Sequence, residues 1–229
     1  MKLLIISDIH GNKEALDAVL EVEHDAIVCL GDLVDYGPAP AECIDLLRRS
    51  GIRTIMGNHD NAVAFKVDCE CGDTYKHLSI ATREYTWEQL DDSHIDYLKG
   101  LRANMDMTFK DVIVHFTHGS PRSMYEYILP KTPNNEILEM IQNMHADVIV
   151  VGHSHVPFVR DVGGVTIVNP GSVGQSRDGD ARASCAVFNT ETQAVDIIRC
   201  EYDIDSVCAQ IRESMPHADE LIQILERGH

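Results

Sequence analysis

Basic side chains are scarce in this 229-residue chain: Lys and Arg number 19 against 37 Asp and Glu, a formal net charge of -18. Proteins that grip a phosphate backbone present a basic face, so nucleic acid is a poor default partner. A small anionic ester is not excluded, because two divalent cations would add about four positive charges inside a cleft. Long apolar runs are also missing. Leu3-Leu4-Ile5-Ile6 is broken at once by Ser7-Asp8 and is too short for a signal-peptide core. Nothing approaches the ~20 apolar residues of a membrane span. A soluble, cytoplasmic protein without a membrane partner is expected. The seven Cys are odd in number and scattered, which argues against a secreted disulfide framework. Cys69-Glu70-Cys71 is the one close pair. Two thiols alone do not complete a zinc site, and ordinary reduced thiols are the expectation. There is no internal repeat, linker or low-complexity stretch, and nothing specifies an oligomeric state.

What is present is enough for one well-buried domain: 44% hydrophobic residues over a length that supports a single core. Residues 3–6, 26–30 and 52–56 read as strands, and 14–22 and 42–49 as helices, with Pro40 a start signal for the second. This βαβαβ rhythm implies parallel strands in a layered α/β architecture, with ligands at the carboxyl ends of the strands. Residues 61–101 are helical and polar, anchored by Trp87, Leu90 and Leu98, and are expected to form a helical cap over the site. Residues 105–109 and 112–116 form one expected hairpin, and 156–159 and 165–168 a second, across Gly163-Gly164. Residues 136–145 read as a helix, 148–151 as a buried strand, 186–188 and 194–198 as a strand pair, and 204–226 as a helical tail. The sum is two packed sheets with helices outside.

Five polar clusters end apolar runs: Ser7-Asp8-Ile9-His10-Gly11-Asn12, Gly31-Asp32, Gly57-Asn58-His59-Asp60, His118-Gly119 and Gly152-His153-Ser154-His155. Asp8 and His10 alternate about Ile9, so an extended backbone would point both the same way, a natural half-site for a divalent cation. Asp8 or Asn12 also suits the start of the next helix. Asp32, behind a glycine, is a turn residue or a carboxylate bridging two ions, with Asp35 a lesser candidate. Asn58 offers a neutral oxygen. The adjacent His59 points elsewhere and is available as a proton donor. His118 is preferred over His115, because it ends the strand beside a glycine. His153 and His155 place two imidazoles at one strand end.

In this order the motifs resemble the calcineurin-like metallophosphoesterase superfamily, and the resemblance covers nearly the whole chain. Small bacterial and archaeal phosphodiesterases and diadenosine-tetraphosphatase-like proteins are the most similar branch, which Gly31-Asp32-Leu33-Val34-Asp35-Tyr36-Gly37 and Asn169-Pro170-Gly171-Ser172 also resemble. The resemblance implies a four-layer α-β-β-α sandwich of two mixed sheets. It implies one metal on Asp8, His10, Asp32 and His155, and another on Asp32, Asn58, His118 and His153. Asp32 would bridge and His59 would be the acid. The phosphoprotein phosphatases carry an Arg where this chain has Tyr36 and a Glu where it has Asp60, which weakens a phosphoprotein-phosphatase reading. Arg177 and Arg122 are the candidates to replace that phosphate clamp.

The expected activity is hydrolysis of a phosphodiester or nucleotide-type ester by a metal-bridging hydroxide. The alternatives are a phosphomonoesterase acting on phosphoprotein or small molecules and, from another class, a non-catalytic scaffold of the same fold. A donor set of oxygen and imidazole without thiolate suits Mn2+, Fe2+, Zn2+, Ni2+ or Co2+, with Mn2+ favoured.

Overall fold

The computed structural model describes residues 1–229. Its strands are β1 (Lys2–Ile6), β2 (Ala26–Cys29), β3 (Arg53–Thr54), β4 (Asn104–Phe109), β5 (Val112–Thr117), β6 (Val148–Val150), β7 (Phe158–Val162), β8 (Val165–Asn169), β9 (Ala183–Asn189) and β10 (Val195–Cys200). Its helices are α1 (Lys13–Leu20), α2 (Pro40–Arg49), α3 (Asn58–Phe65), α4 (Asp73–Gln89), α5 (Asp92–Lys99), α6 (Asn134–Ile141), α7 (Ile204–Ser214) and α8 (Ala218–Arg227). One sheet has the order β10-β9-β1-β2-β3 and the other β4-β5-β6-β8-β7. Strands β1, β2 and β3 run parallel, as do β5, β6 and β8, while β9, β10, β4 and β7 pair antiparallel. Each sheet is therefore mixed, as expected.

Strand β1 is central and buried on both faces, which is why it reads as an unbroken apolar run rather than an alternating one. Leu3 and Ile5 join Val114, Phe116, Val148 and Val150 between the two sheets. Leu4 and Ile6 turn the other way, onto Leu16 of α1 and Ile44 and Leu47 of α2. The second sheet is covered by α6 through Ile137 and Ile141. Phe116 is fully buried in the inter-sheet layer, and its truncation to Ala would cost about 3–5 kcal/mol.

Several boundaries moved. Strand β3 is only two residues long; beyond it Ile55 N–H still reaches Cys29 O of β2 (3.0 Å), and Ile55 also bridges to Arg102. The tail is two helices, since Pro216 lacks the N–H to continue α7. Residues 61–101 are largely helical. Leu98 of α5 lies in the core shared with α1 and α2, and α4 turns buried Ser79, Thr82, Arg83 and Thr86 inward. No helix is long and apolar enough to cross a membrane.

Candidate metal centre

The loops after β1, β2, β5 and β6, with the start of α3, meet at one end of the sandwich. The extended backbone expected at Asp8 and His10 is not what forms. Asp8 (φ 55°), His10 (47°), Asp32 (55°), Asp35 (63°), Tyr36 (61°), His153 (63°) and His155 (57°) all adopt left-handed backbone. Each such non-glycine residue costs about 1–3 kcal/mol and persists only where its surroundings over-determine it. Here the loops bond to one another: Asp8 N–H to Gly31 O (3.0 Å), His10 N–H to Asp32 O (2.9 Å), Gly152 N–H to His118 O (2.7 Å) and Gly174 N–H to Asp8 O (3.0 Å). Two glycines permit the approach. A Cβ on Gly57 would lie 2.0 Å from Asp32 Oδ1, and one on Gly152 would lie 2.1 Å from Ser7 Oγ. Asn12, not Asp8, caps α1, with Oδ1 accepting from Ala15 N–H (3.1 Å).

All seven expected ligands are buried and converge. Donor atoms of Asp8, His10 and His155 lie within 4.8 Å of one another, and so do those of Asp32, His118 and His153. Asp32 Oδ2 stands between the groups, 3.1 Å from His118 Nε2 and 3.8 Å from His10 Nε2. Asp8 Oδ1 is 3.3 Å from His155 Nε2 and 3.9 Å from His118 Nε2. Asn58 Oδ1 is 3.0 Å from His118 Nε2, and its Nδ2 donates to Cys69 O (2.8 Å), which settles the amide's orientation. His115 points away, bonded to Asp106 Oδ1 at 2.6 Å.

The donor chemistry fits cations. His10 Nδ1 donates to Val34 O (2.8 Å), His118 Nδ1 to Leu30 O (2.8 Å) and His155 Nδ1 to Gln175 O (2.5 Å). A carbonyl on Nδ1 places a proton there, which in the neutral rings of His10 and His155 leaves Nε2 as a bare lone pair, the usual support behind a metal-binding imidazole; on His118 the second proton, on Nε2, must leave before that atom can hold a cation. The Nε2 atoms of His10 and His155 then face each other at 3.1 Å, lone pair to lone pair. Asp8 Oδ1, Asp32 Oδ2 and His153 Nε2 are buried without any hydrogen-bond partner, a costly condition that points to an ion.

The electrostatics agree. Burial, then the charge on His118, presses His153 down to about 3, so its lone pair is free at neutral pH. Burial, then His155, depresses His10; burial, then Arg177, depresses His155. Burial also opposes charge on His118, but the adjacent Asp32 carboxylate outweighs it and lifts this ring to about 9. Burial works against ionisation of Asp8 and Asp32, yet the neighbouring imidazoles, His155 and His118 respectively foremost, hold both carboxyls well below the usual range.

His59 opens α3 and belongs to a separate chain of contacts. Its Nδ1 donates to Asp35 Oδ2 (2.7 Å), which also accepts from Arg83 Nε (3.3 Å); Thr86 Oγ1 donates to Asp35 Oδ1 (3.2 Å). Burial lowers the His59 pKa, but the carboxylates of Asp32 and then Asp35 prevail and raise it. Asp35 thus orients the His59 ring. Asp60 accepts from the N–H groups of Asp32 (2.8 Å), Leu33 (2.8 Å) and Gly57 (3.0 Å), tying the second loop to the third. Tyr127 stacks on His153 at 3.9 Å between ring centroids. Sequence reasoning missed the roles of Asp60, Arg83 and Tyr127; the apolar Leu33-Val34 beside Asp35 was a signal of burial for that carboxylate alone. The Arg177 guanidinium lies 4.3 Å from the Tyr75 ring centroid and 5.9 Å from that of Tyr36, and its Nε is buried without a partner. Arg122 is exposed and paired with Glu126.

Residues 1–193 match the calcineurin-like phosphoesterase superfamily domain. The crystal structure of a metallophosphoesterase from Sphaerobacter thermophilus superposes with a TM-score of 0.82 at 36% identity, covering 100% of this chain and 99% of that one. The uncharacterized protein MJ0912 of Methanocaldococcus jannaschii is 33% identical over 91% of each chain. Phosphodiesterase YfcE of Escherichia coli is 28% identical over 85% of this chain and 91% of its own length. The chain belongs to the calcineurin-like phosphoesterase superfamily and is a metal-dependent hydrolase of phosphate esters.

Proposed function

We propose that the chain is a dinuclear phosphoesterase whose substrate is a phosphodiester or nucleotide-type ester. One divalent transition-metal ion, Mn2+ for preference among Mn2+, Fe2+, Zn2+, Ni2+ and Co2+, would be held by Asp8, His10, Asp32 and His155. A second would be held by Asp32, Asn58, His118 and His153. The observation that carries this is the pair of Nε2 lone pairs of His10 and His155 facing each other at 3.1 Å beside unpartnered carboxylate oxygens. Two such cations supply Lewis acidity, lowering the pKa of water and polarising phosphoryl oxygens.

The rest belongs to the protein. His59, held charged by its carboxylate neighbours, gives a proton to the leaving oxygen. Asp35 fixes the ring through Nδ1, so Nε2 is the atom left to deliver it. Arg177, stacked on Tyr75 with a free buried Nε, takes a non-bridging phosphoryl oxygen in place of the missing clamp. Arg122 is already committed to Glu126. The insertion 61–101 serves as the cap, with α4 bracing Asp35. A scaffold of this fold need not keep a full donor set or an oriented acid, and this chain has both. The diester preference is supported by the absence of Arg at Tyr36 and by the phosphodiesterase named among the relatives.

The test is a substrate panel on metal-stripped protein with each cation restored singly. It comprises bis-p-nitrophenyl phosphate, p-nitrophenyl phosphate, cyclic nucleotides, diadenosine tetraphosphate and a phosphopeptide. Turnover should return with Mn2+ and favour diesters or nucleotides. Preference for the phosphopeptide would overturn the substrate class, and no turnover with any cation would overturn the activity.

A further inference from the structure

The dithiol Cys69-Glu70-Cys71 has a third donor that the sequence hides. A ring nitrogen of His59 and the two Sγ atoms lie within 4.8 Å of one another. Around a tetrahedral ion with Zn–S about 2.3 Å and Zn–N about 2.0 Å, such donors sit about 3.5–3.8 Å apart. Small side-chain rotations therefore close the set. Cys69 is buried and Cys71 half-buried, so an ion can enter on the Cys71 side. Both thiols are free. The position also matters: Cys69 O receives the Asn58 amide (2.8 Å), and His59 Nδ1 is otherwise bonded to Asp35 (2.7 Å). The dithiol loop thus touches one expected ligand and the expected proton donor.

We propose that Cys69, Cys71 and His59 form a site for one thiophilic cation, Zn2+ or Cd2+, and that filling it switches the hydrolase off. The inference rests on His59 being the proton donor. Binding releases the two thiol protons and the ring proton of His59 to solvent and occupies the imidazole, which then cannot deliver a proton. It also pulls on the carbonyl that orients Asn58. The two donor sets differ in softness. Oxygen and imidazole accept Mn2+, whereas paired thiolates select Zn2+ or Cd2+ and leave Mn2+ unbound. One metal should activate while another, added on top, inhibits.

The experiment titrates Cd2+ into Mn2+-loaded protein. It follows the ultraviolet thiolate-to-cadmium charge-transfer band and, in parallel, ester turnover. In wild type the band should saturate at one ion per chain as turnover falls by about 10²-fold, the low end of what losing a general acid costs. Cys71→Ser should lose the band and, relative to its own Mn2+-loaded rate, the inhibition. Cys200→Ser, altered at a distant thiol, should keep both. A band that persists in Cys71→Ser, or inhibition that persists without it, overturns the site. A chain that shows the band yet hydrolyses nothing with any cation instead overturns the function proposed for His59 and leaves the soft-ion site standing.

Discussion

Three trios in this molecule bring His and carboxylate donors within reach of one ion, one on the surface and two in the buried centre. His77, His217 and Glu220 lie on the surface between α4 and α8. Asp32, His118 and His153 lie in the buried centre. In the surface trio every contact is already satisfied: His77 Nε2 is 2.8 Å and His217 Nδ1 3.0 Å from the two oxygens of Glu220. All three side chains are about half exposed, so water completes the rest. In the buried trio, His153 Nε2 and Asp32 Oδ2 have no partner, and His118 is aimed by a backbone carbonyl. Proximity of donors is common; buried donors held in place and left unsatisfied are not. That difference separates a metal centre from a surface ion cluster.

The comparison breaks if removing a central donor leaves ion binding intact. Asp32→Asn should reduce the ion content measured by elemental analysis from two per chain, and lower kcat/KM by at least about 10³-fold, the worth of several kcal/mol of charge stabilisation. His59→Ala tests the adjoining proton path. Turnover should fall by about 10²–10⁴-fold on an ester with a poor leaving group while ion content stays the same, and unchanged turnover there would remove His59 from the reaction. Asp35→Asn is smaller, about 10–100-fold, by analogy with carboxylates that orient imidazoles. Its sign in pH is definite. In the proposed reaction His59 must be charged to act, and the carboxylates raise its pKa above the ordinary 6.5. Losing Asp35 should therefore move the alkaline limb of the kcat profile to lower pH, and a limb moving upward would refute the pairing. Smallest of all, His217→Ala should leave ion content, turnover and Tm unchanged. A lost ion would make the surface trio a genuine site.

Much of this was legible in the chain. The apolar run of β1 and the polar residues directly after it announce a buried strand ending at a site, and His118 was separable from His115 by its place beside Gly119. The local reason offered for Asp8 and His10 was wrong although their convergence was right. Backbone twist at Asp8, His10, His153 and His155 depends on bonds to other loops, and a period-two pattern carries no trace of those. Asp60 was invisible for the same reason. Its partners are N–H groups 3, 27 and 28 residues away, and an aspartate in a turn looks alike whether it braces two loops or faces water. The tail split at Pro216 was readable from proline chemistry alone.

The left-handed ligand residues and the bonds between their loops have one more consequence. A pocket whose walls are stitched together by main-chain contacts holds its shape before any guest arrives, so guests can be exchanged without rebuilding the walls. In a pocket of that kind the choice among divalent ions falls to the donor atoms and to the ions on offer rather than to movement of the backbone.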